Sequence, residues 1–163
     1  MDQLSLIRDK ILTLDEAKDW AASGRKAGRK LVFTNGCFDL LHYGHVHYLA
    51  EAASLGDVLM VGINGQDSVK RLKGEHRPIQ EEISRVFQIA SLFFVAKVVV
   101  FHEDTPKKLI EAVTPDILVK GGDWPVEQIV GADWVMDHGG QVRCLSFQEG
   151  FSTTKLEEKI KQS

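Results

Sequence analysis

Two hydrophobic periods take turns along this chain, and that alternation limits the folds open to it more than any other feature. Short, mostly apolar runs recur at Leu31–Thr34, Val58–Ile63, Lys97–Phe101, Ile117–Lys120 and Gln141–Leu145. Helix-patterned segments fill the gaps: Tyr43–Leu55, Ser68–Leu72, Glu81–Val95, a segment opened by Thr105-Pro106, and Thr153–Lys161. An unbroken apolar run such as Val58–Ile63 suits a strand covered on both faces. Strands separated by helices return to one sheet through right-handed crossovers and so lie parallel. The expectation is an α/β chain: a Rossmann-like three-layer α/β/α fold with a central five-stranded parallel sheet.

Ahead of this repeat, Thr13-Leu-Asp-Glu16 has the spacing of a capping box for a helix reaching about Ser23, with Gly24 and Gly28 marking its end. Residues 1–12 carry little pattern and are expected to form an irregular N-terminal arm, with residues 13–163 a single domain. After the first run, Val46, Leu49, Ala50 and Ala53 share one helical face, and Gly56 closes that helix. A chain of 163 residues with 44% hydrophobic content can bury a sizeable core.

The bulk chemistry removes several function classes. A net charge of −3 leaves no electrostatic footprint for nucleic acid. The longest apolar stretch, around Phe93 to Phe101, is broken by Lys97 and too short to span a bilayer. The first residues lack the pattern of a secretion signal. Cys37 and Cys144 are the only cysteines, which fits reduced thiols. The expected setting is cytoplasmic, with no nucleic-acid and no membrane partner. The apolar Val86–Val100 region supplies either core or a homodimer face.

Ligands of parallel α/β sheets bind beyond the carboxyl ends of the strands. The chemically informative residues of this chain follow its strands: Asn35–His45, Asn64–Lys73, Gly121–Trp124 and Gly150–Thr154. In the first, Thr34-Asn-Gly-Cys-Phe-Asp-Leu-Leu-His-Tyr-Gly-His45 leads from a strand through a glycine turn into a helix. Free backbone N–H groups at a helix start favour phosphate. His42 and His45 fall one turn apart on one face, and neutral imidazoles can donate to phosphate oxygens. Gly44 between them costs on the order of 1 kcal/mol against alanine, and room for a flat ligand would justify it. Ordinary capping histidines are the plain alternative. A zinc site is disfavoured, because His47 points to another face and no cysteine or carboxylate stands at a zinc spacing.

The other three segments add charge and hydroxyls. Lys70, Arg71 and Lys73 cluster after the second strand, and Lys73, before Gly74, is placed to reach phosphates. Arg77 and Arg85 lie further on, and Arg85 either grips an anion or pairs with Glu81 or Glu82 on its own helix. Val119-Lys-Gly-Gly-Asp-Trp124 offers Gly121 and Gly122 for close backbone approach, Asp123 for sugar hydroxyls and Trp124 to cover a ring. Ser152, Thr153 and Thr154 open the last helix as caps or as phosphate donors.

Taken together these segments resemble the cytidylyltransferase-like nucleotidyltransferases, through His42-Tyr-Gly-His45 and Ser152-Thr-Thr154. Arg71-Leu-Lys-Gly74, Arg77-Pro-Ile79, Glu103-Asp-Thr-Pro106, Pro115-Asp-Ile-Leu-Val-Lys-Gly-Gly-Asp123 and Gly150-Phe-Ser-Thr-Thr154 look more narrowly like the adenylyltransferase domain of bacterial ADP-heptose synthases. The resemblance covers nearly the whole chain from about Leu14. It implies transfer of AMP from ATP to D-glycero-D-manno-heptose 1-phosphate, giving ADP-heptose and pyrophosphate for lipopolysaccharide or another surface glycan. It further implies a stand-alone transferase served by a separate heptose kinase, and a homodimer. Cytidylyltransferases acting on glycerol 3-phosphate share much of the pattern, but they usually carry an arginine where this chain has Ser146-Phe-Gln148. A nucleotide-binding module without catalysis is the reading from another class.

For such a transfer the acceptor oxygen is already anionic, so positioning and charge stabilisation carry the reaction. His42, His45 and Lys73 are the catalytic candidates. Thr34, Asn35, Gly36, Cys37 and Phe38, with Asp39 bracing their loop, Gly44, Gly121, Gly122, Asp123, Trp124, Ser152, Thr153 and Thr154 are expected to bind ATP. Lys70, Arg71, Arg77 and Arg85 are candidates for the sugar phosphate. Mg²⁺ would ride on the ATP phosphates with few protein ligands.

Overall fold

The structure is a computed structural model that describes residues 2–163. Six strands, β1 (Ile11–Leu12), β2 (Leu31–Gly36), β3 (Val58–Asn64), β4 (Lys97–Phe101), β5 (Ile117–Gly121) and β6 (Gln141–Leu145), form one all-parallel sheet in the order β1-β4-β3-β2-β5-β6. The helices are α1 (Gln3–Arg8), α2 (Leu14–Lys26), α3 (Tyr43–Ala53), α4 (Gln66–Lys73), α5 (Glu82–Ser91), α6 (Lys107–Val113), α7 (Ala132–Asp137) and α8 (Thr153–Lys161). The fold is the expected Rossmann-like one, with six strands in place of five.

The sixth strand corrects the reading of residues 1–12 as an irregular arm. Asp2 caps α1 by accepting from the Leu4 N–H, and Ile11 and Leu12 then pair with Val98 and Val99. A two-residue strand is too short to leave a period, and it is ordered by the open edge of β4. The capping box at Thr13 is present in both directions: the Glu16 N–H donates to the Thr13 hydroxyl, and the Thr13 N–H to the Glu16 carboxylate. The helix it starts runs to Lys26, past Gly24. By contrast α5 stops at Ser91, before the expected Val95, because Leu92 turns extended.

Alternation along the strands builds the two faces. Val32, Leu59, Val61 and Val98 point into one core with Leu49 and Ala52 of α3 and Val86, Ile89 and Ala90 of α5. Leu31, Phe33, Met60 and Val99 point into the other, with Ala17 and Ala21 of α2, Leu109, Ile110 and Val113 of α6 and Val135 of α7. The Val86–Val100 region is therefore mostly core. Its exception is Phe93, which is 92% exposed and packs edge-on against Phe94. Among the described residues no helix is long and apolar enough to cross a membrane.

Sheet register positions the site. Strand β2 pairs with β3 along its whole length, from Leu31↔Val58 to Gly36↔Ile63. With β5 it pairs only at Val32↔Ile117 and Phe33↔Leu118. Beyond that point the two strands separate, and the strand order reverses here as well: β3 and β4 follow on one side of β2, β5 and β6 on the other. A crevice opens at this topological switch. The Thr34 hydroxyl crosses its floor to the Val119 carbonyl at 3.0 Å, supplying the hydrogen bond that the missing ladder rung would have made.

Candidate active site

The loop from β2 to α3 is held by one buried carboxylate. Asp39 accepts from the Ile79 N–H at 2.8 Å, from the Gln80 N–H at 2.9 Å and from the Arg77 guanidinium at 2.9 Å. Burial pushes its pKa up, but the donors of Gln80, Ile79 and Arg77 outweigh that and hold it below the ordinary carboxylate value. Phe38, just before it, sits at φ 47°, a left-handed conformation that a bulky side chain adopts only when its surroundings impose it. Its ring meets His45 edge-on, with centroids 5.4 Å apart.

His42 caps α3 by position, and its ring stacks on His45 with centroids 3.8 Å apart and planes 23° from parallel. The Nδ1 atoms of both rings are buried without a hydrogen-bond partner in the chain. Burial, aided by His42, drives the His45 pKa down to about 4, while the Leu40 backbone pulls it up. Burial also lowers that of His42. His45 is thus a neutral imidazole near pH 7. Gly44 accommodates this pair and not a flat ligand: a Cβ there would come within 3.0 Å of the His42 ring and 3.2 Å of Phe151.

A cavity of about 730 Å³, a size suited to a nucleotide, occupies the crevice. Asn35, Gly36, Cys37, Phe38, Asp39 and His45 line it from the first motif, Lys73 and Arg77 from the second, Gly121 from the third, and Thr153 and Thr154 from the last. Four segments distant in sequence therefore meet around one space. Burial raises the Cys37 thiol pKa, so it faces this space as a neutral group. Among the described residues no three or more His, Cys, Asp or Glu side chains converge as a metal cage.

Several candidate residues stand elsewhere. Thr34 is buried, bonded to the Tyr48 hydroxyl at 2.6 Å and to Val119. His42 lies beside His45 without lining the cavity, and Ser152 serves as the N-cap of α8, accepting from Lys155. Lys70 and Arg71 are not among the residues lining it; Arg71 is held by Asp104, at the cavity edge, and by the His102 carbonyl. Arg85 is no anion grip: it is fully buried and donates to the carbonyls of Cys37 and Asn64, tying the motif loop to the end of β3. Burial lowers its pKa. It does not pair with Glu81 or Glu82 either; Glu82 instead accepts from the Gln66 N–H. Gly122, Asp123 and Trp124 fall outside the lining, and the Trp124 indole folds back onto the Gly121 carbonyl at 3.0 Å.

Residues 33–158 match the cytidylyltransferase-like family. The chain belongs to this family. The bifunctional protein HldE of Citrifermentans bemidjiense is 51% identical over 154 residues, which are 94% of this chain and 32% of that protein. HldE of Campylobacter jejuni subsp. doylei is 49% identical over 154 residues, 94% and 31% of the two chains. The chain spans about a third of the length of these curated relatives. The lipopolysaccharide core biosynthesis protein from Thermoplasma volcanium GSS1 superposes with a TM-score of 0.60 at 31% identity, covering 74% of this chain and 98% of that one. Pantoate-beta-alanine ligase from Francisella tularensis, at 14% identity and a TM-score of 0.59 over 93% of this chain and 76% of its own, shares the fold alone.

The cavity is also lined by residues that the sequence reading does not assign to a site, among them part of the Glu103-Asp-Thr-Pro106 motif. Asp104, Thr105 and Pro106 line it from the end of β4, where the strand-end rule would have found them. Tyr48 lines it from α3; burial pushes its hydroxyl up to about 12, which keeps it a neutral partner for Thr34. Phe147 lies over the glycines that end β5, where a Cβ on Gly121 would come within 2.6 Å of its ring. Phe147 is 65% exposed and forms part of the cavity wall, as do Ile129 and Val130. Nothing local marked Phe147 as part of the site, because its partner glycines, Gly121 and Gly122, lie far off in sequence.

Proposed function

We propose that this chain is an adenylyltransferase that moves AMP from ATP to D-glycero-D-manno-heptose 1-phosphate and releases pyrophosphate. The observation that carries the reading is the meeting of His45, Lys73, Arg77, Thr153 and Thr154 around one nucleotide-sized cavity. The half-sequence identity to HldE proteins over nearly the whole chain supports the sugar branch.

The geometry suits direct displacement. An oxygen of the sugar phosphate bonds to the α-phosphorus of ATP as the bond from that phosphorus to the bridging oxygen breaks, and pyrophosphate leaves with the electron pair. No proton must be removed from the nucleophile. His45, neutral in this site, donates to phosphate oxygens as their charge grows. Lys73 neutralises the polyphosphate, and the start of α8 with Thr153 and Thr154 holds its far end. Phe147 and the end of β5 receive the nucleoside. Asp39 has its lone pairs taken by three N–H groups, so Mg²⁺ would keep to the triphosphate and water; bound there, it offsets phosphate charge.

The acceptor requires a sugar kinase, on whichever chain it resides, and the reaction belongs in the cytoplasm. A homodimer would use the exposed Phe93, and sedimentation of Phe93→Ser against the parent tests that contact. The test of the activity is pyrophosphate release from ATP and CTP with heptose 1-phosphate and glycerol 3-phosphate as acceptors. Release with ATP and the heptose phosphate is expected. Preference for CTP with glycerol phosphate would replace the proposal, and nucleotide binding without release from any acceptor would reduce the chain to a binding module.

A further inference from the structure

Helix α8 carries Thr153 and Thr154 into the cavity, yet it buries none of its side chains. Leu156 and Ile160 remain exposed. A nine-residue helix without a buried apolar face has little to hold it in register. Just ahead of the helix Phe151 packs on Tyr43, with centroids 4.9 Å apart; within the helix the anchor is polar. Arg77 reaches Asp39 on one side and Glu157 on the other. Glu157 stands one turn after Thr153 and so shares its face. All three groups are largely shielded, with side-chain exposures of 17% for Arg77, 4% for Asp39 and 27% for Glu157. Lys161 approaches Glu157 from the solvent side at 2.9 Å.

The chain of contacts thus runs from the loop after β2, through one guanidinium, to the last helix. Those are the segments that bring His45 and the hydroxyls of Thr153 and Thr154 to the cavity. Arg77 has its charge shared between two carboxylates, which makes it a tie between segments more than a free anion grip.

We infer that Glu157 is a positioning residue, which through Arg77 fixes the first turn of α8 across the cavity from His45 and Lys73. The inference rests on the reading that this cavity binds a nucleoside triphosphate. Its test is a double-mutant cycle on binding of Mg·ATP, measured calorimetrically on the full chain without acceptor. Glu157→Ala is expected to weaken ATP binding about tenfold, in the range of coupled contacting pairs. Glu157→Gln, which keeps an acceptor but no charge, should fall between the two. In an Arg77→Ala background the same Glu157→Ala change should alter affinity less than about twofold. Steady-state assays should place the loss in KM for ATP, with kcat at saturation held within about threefold. Melting of Glu157→Ala should stay close to that of the parent, since α8 buries no side chain. Equal affinities of the parent and Glu157→Ala, or an undiminished loss in the Arg77→Ala background, would overturn the inference. Failure of the parent itself to bind ATP would overturn the functional reading beneath it.

Discussion

At His45 burial and chemistry ask for the same species. A neutral imidazole is what a shielded pocket tolerates, and it is also a donor to a phosphate oxygen that gains charge. Replacing His45 by alanine should lower kcat about a hundredfold with ATP affinity changed only a few-fold, the cost of one lost transition-state donor. His42→Ala, which removes the ring stacked on His45, should lower kcat less, through the position of His45. Because the rings stack at 3.8 Å, the double variant should lose much less than the product of the two. Single-turnover and binding measurements on the three variants check both statements, and unchanged turnover in both single variants removes the histidines from the mechanism. The depressed pKa also sets an acid limit. His45 binds its proton near 4 when folded and near 6.5 when unfolded, so the unfolded chain holds more protons between those values. Stability is complete above about pH 6.5 and falls as pH drops toward 4. Asp39, held below its ordinary 3.8, adds a further loss below that value. Urea midpoints across pH 3.5–8 should trace this decline, and an NMR titration should put the ligand-free His45 midpoint near 4.

At the scale of elements, Asp39 ties the loop after β2 to the segment around Pro78. Asp39→Ala would leave the Arg77 guanidinium and the N–H groups of Ile79 and Gln80 facing a shielded space without their acceptor. The expected cost is about 3 kcal/mol, measurable by denaturant unfolding. A change under about 0.5 kcal/mol would mean that the segment around Pro78 is held by other contacts. The same scale shows where sequence reasoning worked. The period of β3 and the capping box at Thr13 are local signals, and both elements form where they were expected. Strand β1 and helix α7 were missed, since each is too short to leave a period and is ordered by its neighbours.

For the whole molecule, nucleotide binding at the switch point should couple to global stability, because the cavity is walled by segments from both halves of the sheet. At a hundred times its Kd, Mg·ATP should contribute about 2.7 kcal/mol and raise Tm by roughly 5–10 °C for a domain of this size. Thermal unfolding with ATP and with CTP reads this directly, and a larger shift with CTP would count against adenine. The chain's own order of residues determined the alternation of strands and helices, the parallel sheet and the type of chemistry, because periodicity and motif residues act over a few positions. Only the tertiary structure decided that β2 and β5 part after Phe33, and that Arg85 is sealed beneath the motif loop. It also put Phe147 over Gly121 and spanned Arg77 between Asp39 and Glu157. Those outcomes depend on which distant side chains compete for the same space and the same partners, and no local pattern encodes that competition.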